Sequence, residues 1–141
     1  MSDEMKGSCL CGAVSFTASP STMEMGVCHC SMCRKWSGGT FMAVSCDSIN
    51  IDDETHLKAF QASKWGERLF CDKCGSTLIW RTQDHKHSVM AAQAFDDPSK
   101  FEFTSEIFVD NKPDNFEFAN PTKKMTEAQV MAQFAPPAES N

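Results

Sequence analysis

Seven of the eight cysteines fall into three short clusters whose spacing is typical of metal ligands. The clusters are Cys9-x-Cys11, Cys28-x-Cys30-x-x-Cys33 and Cys71-x-x-Cys74. Thiolates one or two residues apart can reach a single ion, and zinc binds each sulfur at about 2.3 Å. Four thiolates close a structural zinc site, whereas three leave one coordination position open for chemistry. The sequence therefore predicts two Zn²⁺ sites, one structural and one catalytic.

Two of the clusters end alike, and we expect them to share the structural zinc. Both Cys9-Leu10-Cys11-Gly12 and Cys71-Asp72-Lys73-Cys74-Gly75 finish in Cys-Gly. A knuckle wraps backbone amides around a sulfur, and the residue after the last ligand often needs a positive φ, which glycine adopts at little cost. We therefore assign all four of these cysteines to one closed site. The alternative is that one pair is an ordinary turn with incidental cysteines.

The remaining triplet, Cys28, Cys30 and Cys33, is predicted to be the catalytic metal site. Three thiolates within six residues can hold one zinc from one side, and the fourth ligand would be Cys46, a histidine, a water or a substrate. Cys46 follows an apolar run, so we expect a buried hydrophobe there rather than a ligand or a redox thiol. His29 lies between two ligands and is predicted to point away from the metal.

Arg34 and Lys35 directly follow the triplet and are the predicted substrate-binding residues. Their positive charge can offset the extra thiolate charge or hold the carboxylate of a small substrate. The alternative is a solvated basic face beside the metal loop.

Composition limits the classes of partner. The chain has 141 residues and a formal net charge of −6, which lacks the basic footprint that nucleic acid requires. It contains no apolar run of the roughly 18 residues that a membrane-spanning helix needs. The polar beginning of the sequence predicts no signal peptide and a cytoplasmic location. In a reducing compartment, closely spaced cysteines are more often metal ligands than disulfides.

The hydrophobic pattern predicts a mainly β domain over residues 1–135, followed by a flexible tail over residues 136–141. The predicted strands cover residues 12–18, 40–46, 57–60, 67–71, 77–81, 88–92, 101–103 and 106–109. Residues 19–26 are predicted to form a loop, and turns are predicted at residues 96–99 and 112–115. One short helix is expected after Thr126, which forms a capping box with Gln129, and Pro136 should stop it.

At its cysteine motifs the chain resembles the glutathione-dependent formaldehyde-activating enzyme family, which includes centromere protein V. The resemblance is carried by Gly7-Ser8-Cys9-Leu10-Cys11-Gly12-Ala13-Val14, by Cys28-His29-Cys30-Ser31-Met32-Cys33-Arg34-Lys35-Trp36-Ser37-Gly38 and by Phe70-Cys71-Asp72-Lys73-Cys74-Gly75-Ser76. It extends over roughly residues 7 to 118 and includes the segment 107–114. Glu106 stands where a histidine often precedes this segment in the family, and Asn115 stands where a tryptophan often follows it.

The resemblance implies a β-tent fold of small antiparallel sheets with zinc knuckles. It also implies a structural zinc on Cys9, Cys11, Cys71 and Cys74 and a catalytic zinc on Cys28, Cys30 and Cys33. The implied activity is that of a carbon–sulfur lyase, an S-(hydroxymethyl)glutathione synthase-like enzyme acting on a thiol such as glutathione and a small aldehyde. One alternative is a non-catalytic, zinc-stabilised binding module. Another is a thiol redox protein that uses Cys46.

Overall fold

The computed structural model describes residues 4–134, which divide into two compact units. The first unit contains residues 4–25 and 42–102, and the second contains residues 26–41 and 103–134. The two predicted cysteine sites fall in different units, the four-cysteine site in the first and the triplet in the second. The tail predicted at 136–141 lies outside the described residues, and the single domain over 1–135 stays a prediction.

Strands account for most of the regular secondary structure of the described residues, so the predicted mainly β class is confirmed. The strands are β1 Met5–Ser8, β2 Ser15–Pro20, β3 Glu24–Cys28, β4 Phe41–Ile51, β5 Leu57–Phe60, β6 Gly66–Cys71, β7 Thr77–Thr82, β8 Ser88–Ala91, β9 Glu102–Ile107 and β10 Lys123–Met125. The α-helices are α1 Ser31–Ser37 and α2 Glu127–Phe134, and short 3₁₀ helices cover Ala92–Ala94, Pro98–Lys100 and Val109–Asn111.

The first unit is an antiparallel sheet in the strand order β1-β2-β4-β8-β7-β6-β5. Its core forms because strands such as β2 alternate, burying Phe16 and Ala18 on one face. Phe95 packs on Phe16 and on Phe101, with ring centroids 5.2 and 5.0 Å apart. This core holds two hairpin connections, β1–β2 and β6–β7, and each of them carries a cysteine pair.

The second unit places the triplet between β3 and α1. Strand β3 lies beside β9, and β10 pairs with β9 in parallel, with Lys124 opposite Glu106. The expectation of antiparallel sheets is therefore wrong for this one pair. The C-terminal helix has the predicted capping box, since the Thr126 amide donates to Gln129 Oε1 at 2.7 Å and the Gln129 amide donates to Thr126 Oγ1 at 3.3 Å.

Several local predictions differ from the structure. The loop predicted at 19–26 is shorter in the structure, because β2 continues through Pro20 and β3 begins at Glu24. The two short strands predicted at 101–103 and 106–109 form the single strand β9. Helix α1 was not predicted, because seven residues are too few to show a helical period and its N-cap is a cysteine. The edge strands β1 and β10 were also missed.

Candidate metal centres

Cys9, Cys11, Cys71 and Cys74, which we call the closed cluster, have their sulfurs within 4.8 Å of one another. Cys9 Sγ lies 3.6 Å from Cys11 Sγ, which lies 3.8 Å from Cys71 Sγ. Thiolates arranged tetrahedrally around zinc are about 3.8 Å apart, given bonds of about 2.3 Å. All four cysteines are free thiols rather than disulfides. The four sulfurs therefore fit a metal ion with tetrahedral coordination.

Both knuckles of the closed cluster depend on a glycine in the left-handed region. Gly12 has φ 84° and Gly75 has φ 82°, and their amides donate to the Cys9 carbonyl at 3.2 Å and the Cys71 carbonyl at 2.8 Å. The amides of Ala13 and Val14 also point at sulfur, 3.5 and 3.3 Å from Cys11 Sγ and Cys9 Sγ. The positive φ expected after each Cys-Gly motif is confirmed.

The two knuckles are linked through Ser76 and carry strongly perturbed thiols. The Leu10 amide donates to Ser76 Oγ at 3.0 Å, and Ser76 Oγ lies 3.2 Å from Cys74 Sγ. This hydroxyl, with nearby backbone amides, lowers the pKa of Cys74 to about 5. The Ala13 amide lowers the pKa of Cys11, but burial and hydrogen bonds with the other thiols outweigh it and raise that pKa to about 11. Without a cation the thiols of the closed cluster therefore do not ionise together, and a bound cation would favour the deprotonated form of each ligand.

The triplet brings Cys28, Cys30 and Cys33 together, with all three sulfurs within 4.8 Å. Cys28 ends β3, Cys30 is the N-cap of α1, and Cys33 lies in its first turn. Cys30 Sγ accepts the Cys33 amide at 3.3 Å, so a sulfur replaces the oxygen that usually caps a helix. Among residues 4–134, no other His, Cys, Asp or Glu belongs to this group.

The donor set of the triplet also fits a cation. The thiols of Cys30 and Cys33, followed by burial, raise the pKa of Cys28 far above its ordinary value. Three thiolates held this close repel each other, so without a cation at least one proton stays on the group. A bound divalent ion removes that penalty, since it favours the deprotonated form of each ligand. Both clusters can thus hold a metal ion, the triplet through three protein sulfurs.

The two basic residues beside the triplet have different environments. Arg34 is half-buried, whereas Lys35 is exposed. Arg34 Nε is inaccessible to solvent and has no hydrogen-bond partner within residues 4–134, and the same is true of Ser37 Oγ. Arg34 and Ser37 are three positions apart on α1, and therefore share one helix face. Ser37 was missed from sequence, because its helix was not predicted.

His29 points away from the cysteine sulfurs and into a buried hydrogen-bonded group, in agreement with the sequence prediction. Its Nε2 donates to Glu106 Oε1 at 2.9 Å, and Thr122 Oγ1 donates to Glu106 Oε2 at 2.5 Å. Lys124 Nζ lies 3.7 Å from the same carboxylate. Burial raises the pKa of Glu106, but the bonds from Thr122 and His29, together with Lys124, outweigh burial and lower it. Glu106 is therefore a buried carboxylate that stays ionised.

Cys46 belongs to neither cluster. It lies in β4 of the first unit, is 8% exposed, and its thiol donates to the Val44 carbonyl at 3.4 Å. Burial raises its pKa to about 12. A neutral, buried thiol is a poor redox nucleophile, so this environment favours the buried-hydrophobe interpretation.

No helix in the described part of the chain is both long enough and apolar enough to cross a membrane.

A family model and several known proteins match this chain, and the match to the family model spans the positions of both cysteine clusters. Residues 4–111 match the family model described as glutathione-dependent formaldehyde-activating enzyme. A Schizosaccharomyces pombe protein named as an uncharacterized lyase is 32% identical over 130 residues, covering 91% of this chain and 95% of that protein. A Halomonas elongata protein, provisionally named a glutathione-dependent formaldehyde-activating enzyme, is 34% identical over 124 residues, or 78% of each chain.

A solved structure shares the fold. The crystal structure of a Rhodobacter sphaeroides protein superposes with a TM-score of 0.59 at 20% identity, covering 71% of this chain and all of that one. At this identity the likeness concerns the fold alone. The family model extends over most of the chain, and the Schizosaccharomyces relative is matched over nearly its whole length. The chain therefore belongs to the glutathione-dependent formaldehyde-activating enzyme family.

Proposed function

We propose that the chain is a zinc-dependent carbon–sulfur lyase-type enzyme that joins a small thiol of the glutathione class to formaldehyde or a similar aldehyde, and catalyses the reverse reaction. The observation that carries the proposal is the triplet, three sulfurs within 4.8 Å without a fourth protein ligand among the described residues. Family membership and the names of the relatives agree with this reaction class. In the proposal, the closed cluster holds a structural zinc.

In the proposed reaction, the thiol sulfur forms a bond to the aldehyde carbon. The electron pair of the broken C=O π bond moves to oxygen, and the proton given up by the thiol ends on that oxygen, so the product is an S-hydroxyalkyl adduct. A zinc ion on the three cysteines would keep the incoming thiol deprotonated and therefore nucleophilic. The roles of Cys28, Cys30 and Cys33 are to hold the ion and to leave one position for the substrate sulfur.

Arg34 is the residue we propose for binding the thiol substrate. Its Nε is a charged donor without a hydrogen-bond partner in the described part of the chain, and leaving such a donor buried and unpaired costs about 1–3 kcal/mol or more. A substrate carboxylate would satisfy it with a charge-assisted hydrogen bond, and Ser37 Oγ on the same helix face would add a second donor. Lys35, which is exposed, contributes only long-range charge.

The proposed function is tested by exchanging zinc for Co²⁺ and titrating with glutathione. If a substrate thiol completes the coordination of the triplet, the sulfur-to-cobalt charge-transfer band will grow as a fourth thiolate joins the metal. If the band stays unchanged with glutathione and with 2-mercaptoethanol, while Cys46→Ala alters it, Cys46 already fills the fourth position. The enzyme proposal would then be wrong, and the zinc-stabilised binding module would replace it.

The role of Arg34 gives a second prediction. We expect Arg34→Gln to weaken the binding of 3-mercaptopropionate about tenfold or more, because a hydrogen bond to a charged group contributes about 1.5–3 kcal/mol. The same variant will bind 3-mercapto-1-propanol, which lacks the carboxylate, as tightly as the unmodified protein. Lys35→Gln is the matched control, since it removes one neighbouring charge from an exposed position. Equal losses for both thiols, or an equal loss in the control, would contradict the assignment.

A further inference from the structure

His29 is attached to strand β9 at two consecutive residues. Its backbone amide donates to the Ile107 carbonyl at 3.0 Å, and its Nε2 donates to Glu106 Oε1 at 2.9 Å. His29 is also the single residue between Cys28 and Cys30. Any rotation of the backbone at His29 therefore changes the separation of two sulfurs of the triplet.

The carboxylate of Glu106, which accepts the hydrogen bond from His29, is itself held by residues of β10 and of the segment just before it. Thr122 Oγ1 donates to Glu106 Oε2, and Lys124 lies opposite Glu106 in the parallel pairing, with Nζ 3.7 Å from the same oxygen. The side chain of Glu106 is 3% exposed. Because both carboxylate oxygens are engaged, Glu106 presents Oε1 to His29 in one orientation.

Packing restricts the imidazole as well. The ring of His29 lies 6.0 Å from the ring of Phe116 and 6.1 Å from that of Phe118, measured between centroids, and the side chain is 1% exposed. Phe118 also packs on Phe103, with centroids 5.0 Å apart. The aromatic rings limit where the imidazole can lie, and the bond to Glu106 selects its direction within that space.

We propose that Glu106 is a positioning residue for the triplet, acting through His29 to hold Cys28 and Cys30 at ligand spacing. Groups that orient the ligands of a metal site from outside it commonly change metal affinity by about 10–100-fold when they are removed. The pair is not needed to explain the stability of the fold, since replacing both partners of a buried hydrogen bond by apolar groups of similar shape can be nearly neutral. What apolar residues cannot do is fix the direction of the imidazole.

The test uses the fully metal-loaded protein and measures how fast a chelator removes the metal bound by the triplet. That metal is identified as the one that the Cys28→Ser variant fails to bind. We expect Glu106→Leu to accelerate this release about tenfold or more, and Glu106→Gln, which keeps an acceptor for His29, to stay close to the unmodified protein. Metal bound by the closed cluster will leave at its original rate. The matched control is Glu67→Leu, because Glu67 is a half-buried carboxylate of the first unit that hydrogen-bonds Arg81 at 2.6 Å and lies 3.3 Å from His85.

A double-mutant cycle separates positioning from a general loss of structure. His29→Phe keeps an aromatic ring beside Phe116 and Phe118, and by itself it should accelerate release as Glu106→Leu does. In the His29→Phe background, adding Glu106→Leu should change nothing further, because the contact is already absent. The double variant also serves if the single Glu106→Leu protein does not fold. It replaces both partners of the buried contact by apolar side chains, so it leaves no imidazole donor unpaired.

Three results would overturn the proposal. The first is an unchanged release rate in Glu106→Leu or in His29→Phe. The second is an equal acceleration by Glu106→Leu in both backgrounds, which would mean that Glu106 acts without His29. The third is an equal metal content in the unmodified protein and in Cys28→Ser, which would mean that the triplet binds no metal.

Discussion

Replacing Cys71 by serine is expected to unfold the first unit. Cys71 is fully buried at the end of β6, and its sulfur lies 3.8 Å from Cys11, which belongs to the other hairpin. A structural zinc site contributes about 10 kcal/mol or more of apparent binding free energy to a small domain. Ordinary stability is about 5–15 kcal/mol, so the loss of one ligand removes a large part of it. Soluble yield, thermal melting and zinc content measure the effect.

The control for this experiment is Cys46→Ala. It removes another buried sulfur of the first unit, but one outside the closed cluster. This variant should remain folded with both metals and lose only the packing of a small side chain. A soluble Cys71→Ser protein with unchanged melting and two bound zinc ions would contradict the assignment of Cys71 to the structural site.

Replacing Cys30 by alanine is expected to abolish activity while the fold survives. The substitution removes one of three sulfurs from the triplet and the acceptor for the Cys33 amide at the start of α1. The lost cap costs about 1 kcal/mol, which a folded domain tolerates. The lost ligand should reduce the formation of the S-hydroxymethyl adduct from glutathione and formaldehyde to its spontaneous rate. Exchange spectroscopy by NMR measures that rate, with circular dichroism as the check on folding.

Two comparisons make the Cys30 result specific. Cys46→Ala should retain full activity, because that thiol belongs to neither cluster. Cys30→Ala should also keep the metal of the closed cluster, which lies in the first unit. Activity well above the spontaneous rate in Cys30→Ala would show that the reaction does not depend on the triplet, and the proposed function would then be wrong.

The grouping of the seven clustered cysteines into two sites could be predicted from sequence. Chelate spacing is a local property, because the chain from Cys28 to Cys33 is short enough for a single turn to bring the three sulfurs to one ion. The shared Cys-Gly ending also allowed the closed cluster to be assembled across 60 residues, because Gly12 and Gly75 meet the same backbone requirement after their ligands. Strong alternation, as in β2, likewise predicted the mainly β class.

Tertiary structure alone decided what surrounds those sulfurs. Glu106 lies 77 residues from His29, and no local pattern links a histidine in one loop to a carboxylate on β9. Thr122 and Lys124 reach Glu106 only because the short strand β10 pairs in parallel with β9, a pairing that three residues are too few to reveal. The sequence by itself determined which atoms can bind a metal, because ligand spacing is covalent and local. Which groups hold those atoms in place depends on long-range packing, and only the folded chain brings those groups together.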